Sequence, residues 1–125
     1  GIKGFVYNNY TEEGTADQEF VRKYFTAENG KKIDAIRIKI EKWKKEKIIS
    51  ENEYFILLAS LIESVPFYAN ISGVYAAFLK HYDPRALKQL EIKPMAFYKS
   101  DKSHYVYNKN SMDLIHGLNV DILYL

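Results

Sequence analysis

The last five residues constrain the fold of this chain most. Asp121-Ile122-Leu123-Tyr124-Leu125 is an apolar run led by one acid, and no turn or polar cap closes it. Short apolar runs of this kind are typical of a strand buried inside a sheet. In open α/β sheets, the loop that follows such a strand binds ligands. The run therefore predicts an interior strand that leads toward a functional site, and we expect the chain to be an excised part of a larger protein.

The composition is that of a globular domain, with 47% hydrophobic and 27% charged residues in 125. The chain has no cysteine, which excludes disulfides, thiol nucleophiles and cysteine-ligated zinc. It also has no targeting leader at its start and no apolar stretch near the roughly 20 residues that a membrane helix needs. We therefore expect a cytoplasmic protein that does not enter a membrane.

The net charge of +2 averages over an uneven distribution. Between residues 22 and 47, ten basic residues outnumber four acidic ones: Arg22, Lys23, Lys31, Lys32, Arg37, Lys39, Lys42, Lys44, Lys45 and Lys47 against Glu28, Asp34, Glu41 and Glu46. Such a stripe can contact phosphates. On a lysine-rich helix, however, the charge pattern alone favours a solvated face over phosphate binding.

Two helices are predicted in the first half. Thr26 can cap a helix whose apolar positions recur every three or four residues, at Ile33, Ile36, Ile40 and Trp43. Ser50 and Glu53 have the spacing of a capping box, which begins a second helix with an apolar stripe at Tyr54, Leu57, Leu58 and Leu61. Pro66 can end that helix. The segment 74–82 is also compatible with a helix, whereas residues 11–17 are typical of a loop.

The last third of the chain is expected to alternate between extended segments and a short helix. Residues 90–97 contain Pro94 and are expected to be extended, and Tyr105-Val106-Tyr107 alternates like a strand. A short helix is predicted at Ser111-Met112-Asp113-Leu114-Ile115, ended by Gly117, before the final strand. The expected fold is α+β, with a helical basic region at 1–85 and a strand-helix-strand part of a parallel sheet at 86–125.

Conventional catalytic signals are missing from the sequence. His81, His104 and His116 are scattered without a metal-ligand spacing, so no metal site is predicted. Glu51 and Glu53 belong to the capping box, which favours a structural role over acid-base catalysis. No residue of this chain is assigned as catalytic.

The corner between the second helix and residue 80 is different, since it carries Asn70, Ser72, Gly73 and Tyr75 among apolar residues. An amide side chain can read a base edge, and a tyrosine ring can stack on a base. The alternative is a polar turn with core aromatics.

Several runs resemble adenine-specific DNA methyltransferases of the FokI and Dam modification type. They are residues 7–10 (Tyr-Asn-Asn-Tyr), residues 22–37, residues 72–80 (Ser-Gly-Val-Tyr-Ala-Ala-Phe-Leu-Lys) and residues 121–125. They follow the family's order over nearly the whole chain. The resemblance implies that the sheet segment belongs to a Rossmann-like methyltransferase domain. It also implies that the catalytic Asp-Pro-Pro-Tyr motif comes just after Leu125 and that the S-adenosylmethionine loop precedes Gly1.

The resemblance further implies that this chain carries the target-recognition region of a restriction-modification enzyme. Its expected partners are double-stranded DNA and a cognate restriction endonuclease, and S-adenosylmethionine is the expected cofactor of the intact enzyme, not of this fragment. Self-association through the exposed sheet edge is also expected. The predicted DNA contacts are Asn70, Ser72, Tyr75, Lys80 and Arg85, together with Lys31 and Lys44 from the basic stripe. Two other classes stay open: a freestanding nucleic-acid-binding module and a helical protein-interaction domain.

Overall fold

The computed structural model describes residues 1–124, and this part of the chain is helical. The helices are α1 (Phe5–Tyr10), α2 (Ala27–Lys45), α3 (Glu51–Ser64) and α4 (Ser111–Ile115), with 3-10 turns at Glu13–Thr15 and Val65–Tyr68. None of the helices in this range has both the length and the apolar character to cross a membrane.

The starts of α2 and α3 are set by the caps that the sequence predicts. The Thr26 hydroxyl accepts the amide of Asn29 at 3.3 Å and caps α2. At α3 the Ser50 hydroxyl accepts the Glu53 amide at 3.2 Å, while the Glu53 carboxylate accepts the Ser50 amide at 2.7 Å. These reciprocal bonds satisfy two amides that have no partner inside the helix. Both predicted helix starts are confirmed.

The short helix α1 is held by a carboxylate from another helix. Gly4 caps α1 without a side chain. Asp34, buried on α2, instead accepts the amides of Gly4, Val6 and Tyr7 at 3.0, 2.9 and 2.8 Å. An anion is favoured at a helix N-terminus because the free amides and the helix dipole both present positive charge there. A helix of six residues is marginal alone, so the position of α1 depends on this contact.

The buried core joins distant parts of the chain. It contains Phe25, Ile33, Ala69, Ile71 and Leu90, and Leu90 is fully buried. Residues from both sides of position 85 therefore pack in one core. The division into regions 1–85 and 86–125 stays a prediction.

The predicted α+β fold is wrong for the described residues. Residues 105–107 and 121–124 form no strand, and Val106 and Ile122 are 95% and 87% exposed. Leu125, the last residue of the predicted final strand, lies outside the described range. A strand needs a neighbour to pair its amides and carbonyls, and residues 1–124 contain only two isolated bridges, Thr11 with Phe25 and Ile71 with Phe78. The alternation of side chains is compatible with a strand, but it does not indicate which segment would pair with that strand.

Two shorter predictions also differ from the structure. The helix-compatible segment 74–82 is irregular, since Gly73 has a φ of 114° and the Leu79 amide donates to the Asn70 carbonyl rather than along a helix. The predicted loop at 11–17 contains a 3-10 turn at Glu13–Thr15, and Thr11 and Thr15 are fully buried. By contrast, the short helix α4 is confirmed, while residues 90–97 have no regular secondary structure and their extended course stays a prediction.

Candidate nucleic-acid interface

The seven predicted contact residues lie on two parts of the structure. Lys31 and Lys44 belong to α2. The other five lie in residues 69–85, which we call the corner segment: Asn70, Ser72, Tyr75, Lys80 and Arg85. They differ sharply in accessibility, because Asn70 is buried whereas the other four corner residues are exposed.

Asn70 connects three stretches of backbone. Its Nδ2 donates to the carbonyls of Lys23 and Leu79, both at 2.9 Å, and its Oδ1 accepts the amide of Asp83 at 2.8 Å. Its own amide donates to the Tyr24 carbonyl at 2.8 Å. Both donors of the side-chain amide are therefore used inside the protein, and this geometry favours a positioning role. A direct contact of Asn70 with DNA stays a prediction.

Tyr75 lies at the edge of an aromatic cluster centred on Tyr24. The Tyr75 ring stacks on Tyr24 with centroids 6.4 Å apart, and Phe78 and Tyr10 meet Tyr24 edge-on at 5.2 and 5.7 Å. Partial burial raises the pKa of Tyr75 above its ordinary value. The ring is still 48% exposed. Tyr75 thus has one face held by the protein and surface left for a ligand.

The remaining corner residues present polar groups to solvent. Ser72 and Lys80 are exposed. Arg85 donates from Nε to Asp83 Oδ1 at 3.0 Å, and its amide donates to the same oxygen at 2.8 Å. The Arg85 side chain and then its amide hold the pKa of Asp83 below its ordinary value. This surface pair holds the Nε of Arg85, and the other two guanidinium nitrogens form no ion pair among the described residues.

The two predicted lysines of α2 both lie near aromatic rings. Lys31 Nζ is 5.1 Å from the centroid of the Tyr7 ring, and Lys44 Nζ is 3.8 Å from that of Tyr54. Cation–π contacts of this kind leave the ammonium hydrated on its outer side. They restrict the side chains, which lowers the entropy that a phosphate contact would cost.

Three of the four acids in the basic stripe have hydrogen-bond or ion-pair partners, whereas Glu28 is exposed without one among the described residues. Asp34 is buried against α1. Glu41 accepts the Tyr54 hydroxyl at 2.7 Å, which is the main reason that the pKa of Tyr54 is raised. Glu46 pairs with Lys42 at 3.6 Å. Arg37, Lys39, Lys44 and Lys45 remain exposed without a salt bridge among the described residues.

A groove of about 920 Å³ runs along the same helix. Its floor includes Ile36, Ile40, Trp43 and Leu57 from α2 and α3, and Lys31, Lys32 and Lys39 line its side. Lys39 Nζ lies 5.3 Å from the centroid of the Trp43 ring. The groove combines an apolar floor with a basic wall.

Asn29, which positions residues 86–90 directly after the corner segment, was not identified from the sequence. Asn29 is buried, and its Nδ2 donates to the carbonyls of Ala86 and Lys88 while its Oδ1 accepts the Leu90 amide at 2.9 Å. Asn29 stands in the first turn of α2, where a polar residue also suits a solvated helix start. Only its burial distinguishes Asn29. Its hydrogen-bond partners lie about 60 residues away in the sequence, so no local sequence pattern indicates them.

The described residues contain no candidate metal site. No group of three or more histidines and carboxylates is placed to hold a metal among residues 1–124. His81, His104 and His116 are all exposed. What these residues offer is a surface for binding: lysines along α2, an aromatic cluster, and exposed polar groups in the corner segment.

Comparison with known proteins relates this chain to modification enzymes. It is 42% identical over 123 residues to the type II methyltransferase M.NlaIII of Neisseria lactamica, covering 98% of this chain and 36% of the relative. It is 40% identical over 122 residues to the modification methylase StsI of Streptococcus sanguinis, covering 98% and 18%. It is 45% identical over 104 residues to the type II methyltransferase M.FokI of Planomicrobium okeanokoites, covering 83% and 16%. The chain thus spans between 16% and 36% of these relatives.

No solved structure matches the chain significantly. The family profile described as D12 class N6 adenine-specific DNA methyltransferase matches residues 3–125, which is nearly the whole chain. The resemblance drawn from the sequence runs is therefore confirmed, and the chain belongs to the D12 class N6 adenine-specific DNA methyltransferase family.

Proposed function

We propose that the full-length protein carrying this chain is an adenine-specific DNA methyltransferase of a restriction-modification system, and that this chain supplies part of its DNA-binding surface. The observation that carries the proposal is the family match over residues 3–125. It is supported by relatives whose names are those of modification methylases and type II methyltransferases.

The basic face of α2 supports a phosphate-binding role within this function. Exposed lysines and arginines that lack internal ion pairs can replace the counterions of DNA, which makes binding dependent on salt. The half-buried Lys31 and the exposed Lys44 contact phosphates in this proposal. Lys80 and Arg85 add contacts from the corner segment, and Arg85 does so through the guanidinium nitrogens that its pair with Asp83 leaves free. These contacts are independent of sequence and set the register of the protein on the duplex.

Base recognition is assigned to the exposed groups of the corner segment. The hydroxyl of Ser72 can donate to or accept from a base edge, and the half-exposed Tyr75 ring can stack or hydrogen-bond. Asn70 holds the segment through Lys23, Leu79 and Asp83. Its contribution to recognition is therefore positioning in this proposal.

The larger groove does not fit S-adenosylmethionine, the cofactor implied by the family. Its sulfonium and ammonium groups are positive, whereas the larger groove presents Lys31, Lys32 and Lys39 against the single carboxylate of Glu28. The chain also contains no Asp-Pro-Pro-Tyr sequence. We therefore assign cofactor binding and methyl transfer to other parts of the full-length protein, and we expect residues 1–125 alone to be inactive.

Target access adds one requirement to the proposed function. The amino group of adenine cannot be reached while the base is stacked, so a methyltransferase must extrude the nucleotide from the duplex. Phosphate contacts that hold the duplex on both sides of the target support that step. A cognate restriction endonuclease and self-association of the protein remain proposals, and the exposed side chains of Ile122 and Tyr124 offer apolar surface for self-association.

The proposal is tested by methyl transfer to DNA. We expect the full-length protein with S-adenosylmethionine to produce N6-methyladenine in duplex DNA, detected by nucleoside mass spectrometry, and the 125-residue chain to produce none. Calorimetry on the 125-residue chain should give no micromolar binding of the cofactor, since an affinity of about 8 kcal/mol needs a formed pocket. Methylation confined to cytosine, or no methylation of any duplex by the full-length protein, contradicts the proposed function.

The separate roles proposed for the corner residues, base contact by Ser72 and Tyr75 and positioning by Asn70, can be tested by substitution. Tyr75→Ala and Ser72→Ala should lower affinity for the specific site, by about 1–3 kcal/mol for a lost base contact, and leave random DNA unaffected. Asn70→Ala should instead lower the thermal stability. If Tyr75→Ala and Ser72→Ala bind both duplexes as the parent does, the corner segment is packing and does not read bases.

A further inference from the structure

A second cavity lies at the C-terminal end of α3. It has a volume of about 460 Å³, within the range of pockets that hold small ligands. One wall is the end of α3 and the 3-10 turn after it, with Ser64, Phe67 and Tyr68. The opposite wall is the irregular segment 85–96. None of the DNA contacts predicted from the sequence except Arg85 lies here.

Hydrogen bonds fix both walls of the cavity. The hydroxyls of Ser64 and Ser60 on α3 accept the amides of Lys93 and Met95 at 3.1 and 3.0 Å. Pro94, which stands between these two residues, has no amide to satisfy. At the other end of the segment, Asn29 accepts the Leu90 amide and binds the Lys88 carbonyl at 2.9 Å. The irregular wall is thus fixed by polar side chains of two helices, and the cavity is largely formed before a ligand arrives.

The lining joins exposed aromatic surface to positive charge. The Phe67 ring is 68% exposed although it follows Pro66 at a turn, and Tyr68 and Met95 extend the apolar surface. Three cations, Arg85, Lys88 and Lys93, line the same space. Two carboxylates, Glu63 and Glu91, also line it and leave an excess of one positive charge.

We propose that this cavity holds an unpaired nucleotide of bound DNA, with its base on the Phe67 ring and its phosphate near Lys88 and Lys93. Stacking on an aromatic side chain and a neighbouring cation are the two elements by which proteins hold single nucleotides. The inference rests on the proposed function and deepens it, since an enzyme that extrudes a base disturbs the duplex at its target and leaves nucleotides unpaired. A paired nucleotide offers no free face to Phe67, so the cavity selects unpaired ones.

The test compares two duplexes of the same sequence, one fully paired and one with a single bulged deoxyadenosine, by competition fluorescence anisotropy with the full-length protein. The wild-type protein should prefer the bulged duplex by about tenfold, which corresponds to about 1.4 kcal/mol. Phe67→Ala should bring the preference close to one and leave affinity for the paired duplex unchanged. Phe67→Tyr keeps a ring and should keep the preference.

Matched controls separate the cavity from general surface effects. Phe97 is 64% exposed and does not line the cavity, so Phe97→Ala should retain the preference. The double variant Lys88→Gln/Lys93→Gln should lower the preference, whereas Lys99→Gln/Lys102→Gln should change affinity for both duplexes equally. Because Phe67, Lys88 and Lys93 are exposed, these variants should unfold at the temperature of the parent.

Several outcomes would overturn the inference and leave the proposed function intact. They are equal binding of the two duplexes by the wild-type protein, or equal preferences in Phe67→Ala and Phe97→Ala. A third is binding of free deoxyadenosine monophosphate that depends on Phe67 without any preference for the bulged duplex, since the ligand would then be a free nucleotide. Failure of the wild-type protein to bind either duplex would contradict the proposed function itself.

Discussion

At the scale of residues, three buried polar side chains organise this chain, and each one joins segments that are distant in sequence. Asp34 holds the start of α1, Asn29 holds residues 86–90, and Asn70 holds the corner segment. Buried polar groups are costly without partners. In the described residues every buried side-chain nitrogen and oxygen has a hydrogen-bond partner. Substitution of Asp34, Asn29 or Asn70 should therefore lower the free energy of unfolding more than the size of the side chain suggests.

Replacing Asp34 tests this most simply. Asp34→Ala leaves the amides of Gly4, Val6 and Tyr7 without their acceptor, so we expect a loss of about 1–3 kcal/mol in the free energy of unfolding. Asp17→Asn, at an exposed position, is the control and should be neutral. Urea unfolding of each variant gives the comparison. If Asp34→Ala is as stable as Asp17→Asn, the carboxylate does not anchor α1.

Tyr82 makes stability depend on alkaline pH. Burial, with Glu12 and Glu13 as lesser causes, raises the pKa of Tyr82 to about 12, above the ordinary value near 10. Its neutral hydroxyl donates to the Phe25 carbonyl at 3.2 Å. A pKa raised on folding contributes stability that is complete below pH 10 and is lost as the pH rises through 12. Unfolding experiments between pH 9 and 12 should show this loss, and Tyr82→Phe should show a smaller one. An identical pH dependence in both proteins would refute the assignment.

At the scale of elements, the sequence predicted helices well where local chemistry determines them. The Thr26 cap, the Ser50–Glu53 capping box and the apolar periodicity of α2 all act within a few residues, so their effect can be read from the sequence. The predicted strands failed because a strand is defined by its neighbour, and residues 105–107 and 121–124 have none in the described chain. The second cavity escaped prediction for the same reason, since its walls are joined by Ser60 and Ser64 bonds that span about 30 residues.

The end of α2 contains a residue in an unfavourable conformation. Lys47 has a φ of 56°, and the amides of Lys47 and Ile48 donate to the carbonyls of Lys44 and Trp43. This is the Schellman pattern, in which glycine is usual at the left-handed position. Lys47→Gly should therefore raise the free energy of unfolding by about 1 kcal/mol. Lys42→Gly, inside the helix, should lower it by a similar amount. A destabilised Lys47→Gly protein would contradict this account of the turn.

The bonds from α3 to residues 93–95 give an expectation for local opening. Ser60→Ala and Ser64→Ala remove the acceptors of the Met95 and Lys93 amides, so those two amides should exchange with solvent faster. Ser103→Ala, at an exposed position, should leave them unchanged. Hydrogen exchange followed by NMR resolves the two amides separately. Unchanged protection in both variants would show that other contacts hold this segment.

At the scale of the whole molecule, a helical body presents basic and aromatic surface on a chain that spans only part of its relatives. Asp34 of the stripe is buried and Glu46 is paired with Lys42, whereas most of the stripe's lysines are exposed. Family membership came from the order of several sequence runs, and the basic stripe was visible in composition. Which of its charges remain free could be learned only from the structure, because pairing depends on how α1 and α3 pack against α2.

The most direct test of the account is the salt dependence of DNA binding. The affinity of the full-length protein for duplex DNA should fall linearly with the logarithm of salt concentration, and each lost phosphate contact should reduce the slope by about 0.9. Lys31→Gln and Lys44→Gln should therefore each flatten the slope and weaken specific and random DNA alike, whereas Lys109→Gln, on the exposed segment outside the helical body, should not. If the slopes of all three variants equal that of the parent, the basic face of α2 does not contact DNA.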